Sequence, residues 1–167
     1  DISSISASQY TALSTEIYLK VNNLVSDFNR KQEEYNSVKA KVDELRLKLY
    51  NADVDLIESS KRNIEKLNLE LQRLKEDLTS ASAEEQIQKQ REINDKENEI
   101  KYANDDLQKL NQYKQEYDIK VIELNTKNEA MILSKSNLDS TLNSEMITLK
   151  TSVENSKKEL NDIKSKI

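Results

Sequence analysis

Residues 77–86 read Asp77-Leu78-Thr79-Ser80-Ala81-Ser82-Ala83-Glu84-Glu85-Gln86, and the architecture turns on whether the chain reverses here or runs straight through. A run of hydroxyl and small residues is followed by Ser82-x-x-Glu85, the spacing of a capping box that opens a new helix. On that reading one helix ends near Thr79, residues 80–83 turn, and a second helix starts at Glu84. The other reading is an unbroken helix that carries Ser and Ala at a modest cost in propensity, because no Gly or Asn is present to take the left-handed position after a helix end. Asn51-Ala52-Asp53-Val54-Asp55 is the next candidate for a kink.

Outward from this stretch the chain is uniform. Its 167 residues contain no Gly, Pro, Cys, His or Trp. About 20 Gly and Pro would be expected at average usage. Without these turn-makers the sequence predicts long α-helix and little else. With 35% apolar and 34% charged residues and a single Phe, it cannot fill a thick core, but it can fill a narrow stripe.

That stripe is a heptad pattern. Positions a run Val21, Phe28, Tyr35, Val42, Leu49, Leu56, and positions d run Leu24, Lys31, Val38, Leu45, Ala52. A second block places Ile64, Leu71, Leu78 at a and Leu67, Leu74, Ala81 at d. In the third, a runs Ile93, Ile100, Leu107, Lys114, Val121, Asn128, Lys135, Leu142, Leu149, and d runs Lys96, Ala103, Leu110, Tyr117, Leu124, Met131, Leu138, Glu145. Four-residue steps at Ile17, Ser60 and Leu149 read as stutters that locally unwind a supercoil. Off the seam, acids precede bases by four residues, as in Glu44 with Lys48, Glu97 with Lys101 and Glu154 with Lys158. Each such pair supports helix by ~0.2 to 0.5 kcal/mol and specifies no partner.

The expected fold is therefore all-α and elongated. An antiparallel helical hairpin is favoured, with residues 1–79 as first arm, 80–83 as turn and 84–167 as second arm. At 1.5 Å per residue such a hairpin is ~120 Å long, and a continuous helix ~250 Å. Reflection about residues 81 and 82 sets Lys135 near Phe28, Asn128 near Tyr35, Lys114 near Leu49 and Lys96 near Leu67, with no like-charge pair. In-register self-pairing of a continuous helix would instead set Lys31, Lys96, Lys114, Lys135 and Glu145 against their own copies. The alternative, a continuous parallel two-stranded coiled coil, draws support from Ile or Val at a with Leu at d and from Asn128 at an a position. The unmatched stutter at Ser60 also counts against the hairpin.

Composition narrows function by exclusion. Lys plus Arg is 26 against 31 Asp plus Glu, a net charge of −5 with neither half basic. Nucleic acid and anionic bilayers, which need clustered positive charge, are not expected partners. No apolar run reaches the ~18 residues of a membrane span, and no leader peptide is visible. The start at Asp1 without an initiator Met is expected of a fragment or processed piece. With no His, Cys or Gly-rich loop, no enzymatic activity, cofactor or small-molecule ligand is expected. Adjacent acids at Glu33-Glu34, Glu84-Glu85 and Asp105-Asp106 point about 100° apart on a helix and lack a calcium loop, so no metal site is expected.

The candidate binding residues are apolar. Around 117–133 the apolar set widens beyond the seam to Ile119, Ile122, Ile132 and Leu133, and around 17–28 to Leu19 and Val25. These six are the candidate contacts for a third helix or partner protein. Tyr35, Tyr117 and Tyr10 are read as seam residues. Tyr18, Tyr50, Tyr102 and Tyr113 become contact candidates only if a second apolar face exists.

The abundance of Ser, Asn, Lys and Ile over the whole chain resembles the coiled-coil arms of fungal and other AT-rich-genome scaffold proteins. These include kinetochore and spindle-pole rods, vesicle tethers and the arms of chromosome-maintenance ATPases. The resemblance implies a structural protein, intracellular and cytoplasmic, nuclear or cytoskeletal, acting as scaffold, spacer or tether through protein–protein contacts and possible self-association. A crescent-dimer module for membrane surfaces is the other function class. It needs a concave basic face, whereas here bases alternate with acids.

Overall fold

The computed structural model describes the backbone of residues 2–167 and the side chains of residues 11–167. The fold is all-α. Three helices, α1 (Ile2–Leu49), α2 (Leu56–Ser80) and α3 (Ala83–Ser165), account for nearly all of it. A small antiparallel ribbon, β1 (Tyr50–Asn51) and β2 (Val54–Asp55), lies between α1 and α2.

The reversal falls at Ala81 and Ser82, and hydroxyl chemistry makes it. At the end of α2 the Thr79 Oγ1 donates to the Glu76 carbonyl at 2.6 Å and the Ser80 Oγ to the Asp77 carbonyl at 3.3 Å. These bonds compete with continuation of the helix. Ala81 is extended (φ −79°, ψ 150°), and its N–H donates to the Leu78 carbonyl. Ser82 then opens α3 with a reciprocal capping box: Glu85 N–H donates to Ser82 Oγ at 3.4 Å, and Ser82 N–H donates to Glu85 Oε2 at 3.3 Å. Because Ala81 is extended rather than left-handed, the turn has no need of glycine. Glu84 and Glu85 also complement the positive end of the helix dipole.

The first arm differs from the expected single helix over 1–79: residues 50–55 leave it as a knuckle. Asn51, Asp53 and Asp55 are weak helix formers whose side chains compete for backbone, and Val54 is β-branched. Tyr50 pairs with Asp55 and Asn51 with Val54, closing a two-residue loop. Asp55 caps α2, accepting from Ile57 N–H at 3.0 Å and Glu58 N–H at 3.4 Å. At the tip Ala52 sits at φ 53°, a left-handed conformation disfavoured for a residue with a Cβ.

Two compact units can be described separately. In the unit formed by Asp1–Val38 and Leu124–Ile167, α1 and α3 run antiparallel. Lys20 meets Glu145, Asp27 meets Ser134 and Glu34 meets Lys127. Lys135 Nζ stands 6.0 Å above the Phe28 ring, as reflection about the turn requires. The stripe on α3 departs from the heptads read in the sequence. Ser134 and Leu138 are buried and Thr141 and Glu145 half-buried, while Lys135 and Leu142 are exposed beside them.

In the unit Lys39–Glu123, the end of α1 and then α2 pair with the first half of α3. Lys41 faces Glu116, Lys48 lies over Tyr113, and Lys96 reaches Glu70 in the turn beside Leu67. The knuckle shows in the count. Twenty-two positions separate Lys48 from Glu70, whereas seventeen separate Lys96 from Tyr113 on the uninterrupted α3. The five-residue excess nearly equals the six residues looped out. Among the described residues Leu45 and Leu49, at 0% and 1% exposure, are the fully enclosed side chains, and both lie just before the knuckle. Each contributes about 1.5 to 3 kcal/mol by burial.

Replacing Ala52 by Gly removes the penalty at the knuckle tip. Ala52→Gly is expected to raise stability by about 1 kcal/mol, read as a higher denaturation midpoint by circular dichroism. An unchanged or lower midpoint would show that Ala52 carries no strain.

Candidate interaction surfaces

Helix periodicity places two kinds of side chain where a partner or a register could be specified: polar groups beside the seam, and apolar groups away from it. In the unit containing the chain ends, Ser134 is 5% exposed, and its Oγ donates to Asp27 Oδ2 at 2.7 Å. Arg30 donates to the other oxygen at 2.8 Å. The Ser134 hydrogen bond, followed by that from Arg30, holds the Asp27 carboxyl below its ordinary range. Lys20 donates to Glu145 at 2.7 Å, and this bond pushes its ammonium up. Lys127 donates to Glu34 at 3.3 Å.

In the other unit Lys96 is held by Glu70 at 2.8 Å and by Glu99 at 2.9 Å. Both bonds raise it, and the Lys96 bond is the main cause of a lowered Glu70. Among the described residues no buried side-chain polar atom lacks a hydrogen-bond partner. These pairs set register more than stability, because ion pairs this exposed contribute little.

The six apolar candidates separate. Leu19, Ile119, Ile122, Ile132 and Leu133 are 56% to 68% exposed, while Val25 is half-buried. Leu19, Val25, Ile132 and Leu133 belong to one unit, and Ile119 with Ile122 to the other. Within the first unit the register pairs Leu19 and Val25 with α3 positions beyond 134, so they stand about one to four turns from Ile132 and do not join it in one patch. Among the tyrosines, Tyr35 and Tyr117 are half-buried, Tyr18 and Tyr102 exposed, Tyr50 lies in β1 and Tyr113 under Lys48. The Tyr10 side chain lies outside the described residues.

The knuckle is the feature that heptad counting passed over. Its signal was Asp55-x-x-Glu58, an acid at the cap position three residues before a Glu. Leu49, Ala52 and Leu56 keep heptad spacing through the knuckle, and the change of phase comes only after it, in the four-residue steps from Leu56 to Ser60 and Ile64.

Among the described residues, no group of three or more potential metal-ligating side chains comes together. No described helix is long and apolar enough to cross a membrane. Comparison with protein-family models, curated proteins and solved structures finds no match to this chain.

The lowered carboxyls of Asp27 and Glu70 give a pH dependence with a definite sign. A carboxyl depressed in the folded state stabilises fully above its unfolded value near 4 and loses that contribution as pH falls through the folded value. The melting temperature is expected to drop from about pH 4 downward. Ser134→Ala should lower it at neutral pH and shrink the acid drop, as followed by circular dichroism. An acid limb identical in wild type and Ser134→Ala would remove the assignment to Asp27.

Proposed function

We propose that the chain is a non-enzymatic structural module, an antiparallel coiled coil serving as scaffold, spacer or tether in a larger protein assembly. The observation that carries this reading is the pairing of the two arms with each other through Asp27 and Ser134, Lys41 and Glu116, and Glu70 and Lys96. A seam consumed within one chain leaves the outer faces and the turn at residues 80–83 for partners. The exposed Leu19, Ile119, Ile122, Ile132 and Leu133 are the docking residues of this reading. Its partners are proteins of an intracellular, cytoskeletal or nuclear assembly. The alternation of acids and bases along the sequence supports protein partners over nucleic acid or lipid.

Sedimentation equilibrium over a wide concentration range tests self-sufficiency. The expected mass is 19.4 kDa throughout. A species of about twice that mass at all concentrations would replace the self-paired module with an intermolecular one. Strong, salt-sensitive co-sedimentation with anionic vesicles would move the function to a membrane surface.

A further inference from the structure

We infer that the knuckle is a register switch: residues 50–55 exchange between the looped ribbon and a helical segment joining α1 to α2, and the exchange slides α1 along α3 by about one helical turn.

Three observations carry this. The ribbon is held by two residue pairs, its residues 51–54 are exposed, and its tip is an Ala at φ 53°. Ala is the best helix former and a poor occupant of that conformation. The looped state thus works against the preference of its own tip.

The chain also carries the seam for the other state. Leu45, Leu49, Ala52 and Leu56 keep heptad spacing across the knuckle. If 50–55 are helical, the first arm regains the five positions by which it exceeds α3, and its a positions then fall opposite d positions of α3 along the heptads read in the sequence. Ala52 then faces Lys114, Leu49 faces Tyr117 and Leu45 faces Val121.

The third observation is that α3 bears two overlapping stripes. The stripe in use runs Met131, Ser134, Leu138, Thr141, Glu145. The heptad stripe runs Met131, Lys135, Leu138, Leu142, Glu145 and shares three of its five members. Leu142, now 38% exposed, would enter the seam in the slid register. The contacts of Lys20 with Glu145 and Asp27 with Ser134 place Leu24 level with Leu138 in the looped state. Regaining the five positions, ~7.5 Å, brings it to the turn of α3 that carries Leu142.

Because the chain contains no cysteine, paired substitutions report register directly, and disulfide geometry accepts only Cα separations of about 4.4 to 6.8 Å. Leu24→Cys with Leu138→Cys reads the looped register, and Leu24→Cys with Leu142→Cys the slid one. Under a thiol–disulfide redox buffer both bonds are expected to form. Ala52→Gly should suppress the bond at 142, and Asn51→Ala with Asp53→Ala should raise its ratio to the bond at 138 about tenfold. The switch is overturned if the bond at 142 fails to form in every background while that at 138 forms. It is equally overturned if the ratio ignores the substitutions at 51–53, since sliding would then not run through the knuckle.

Discussion

Burial of one narrow apolar stripe against its mirror image in the same chain is the interaction on which everything else depends. A helix with an apolar stripe of this width has one side to hide and needs one partner. Here α1 and α2 supply it to α3, and Leu45 and Leu49 show how completely the seam can close, at 0% and 1% exposure. The polar pairs stand at the edges of the seam. Ser134 is buried and its hydroxyl is paired through Asp27, so a slipped register would strand it, and this favours an alignment that apolar contacts alone leave loose.

The turn makes that burial intramolecular. It is built from Thr79, Ser80, Ser82 and Glu85, with hydroxyls that end one helix and cap the next. This chemistry was legible in the sequence because the capping box is a local device whose partners lie three residues apart. The reflection it implies was legible for the same reason, and Lys135 stands over Phe28 accordingly. The knuckle was only half legible. Asn51 to Asp55 stood out as poor helix, but heptad spacing carried on through Ala52 to Leu56, and the phase change just beyond, at Ser60, read as a stutter of a continuous helix. The shifted stripe at Ser134 and Thr141 was not legible at all, since short polar side chains at a seam are chosen by the register of the opposite arm rather than by their own heptad. The separation of the six apolar candidates was not legible either, since it depends on which α3 residues lie opposite Leu19 and Val25.

These features give the proposed role a physical shape. Paired arms with mixed charge and scattered outer apolar groups suit contact with other proteins along a side. The discontinuity lies in one arm, opposite an unbroken α3, and the register switch inferred above would move one arm along the other. A structural module of this kind would hold its partners at a spacing that can take two values.

The central claim is that the two arms pair within one molecule, and the distance between spin labels at Arg30→Cys and Lys135→Cys tests it most directly. Double electron–electron resonance should give a separation below about 30 Å that persists when labelled protein is diluted with unlabelled chain, because the two sites face each other across an antiparallel pair. A continuous helix would hold the same sites ~160 Å apart. Loss of the short distance on dilution, or its absence, would contradict the account.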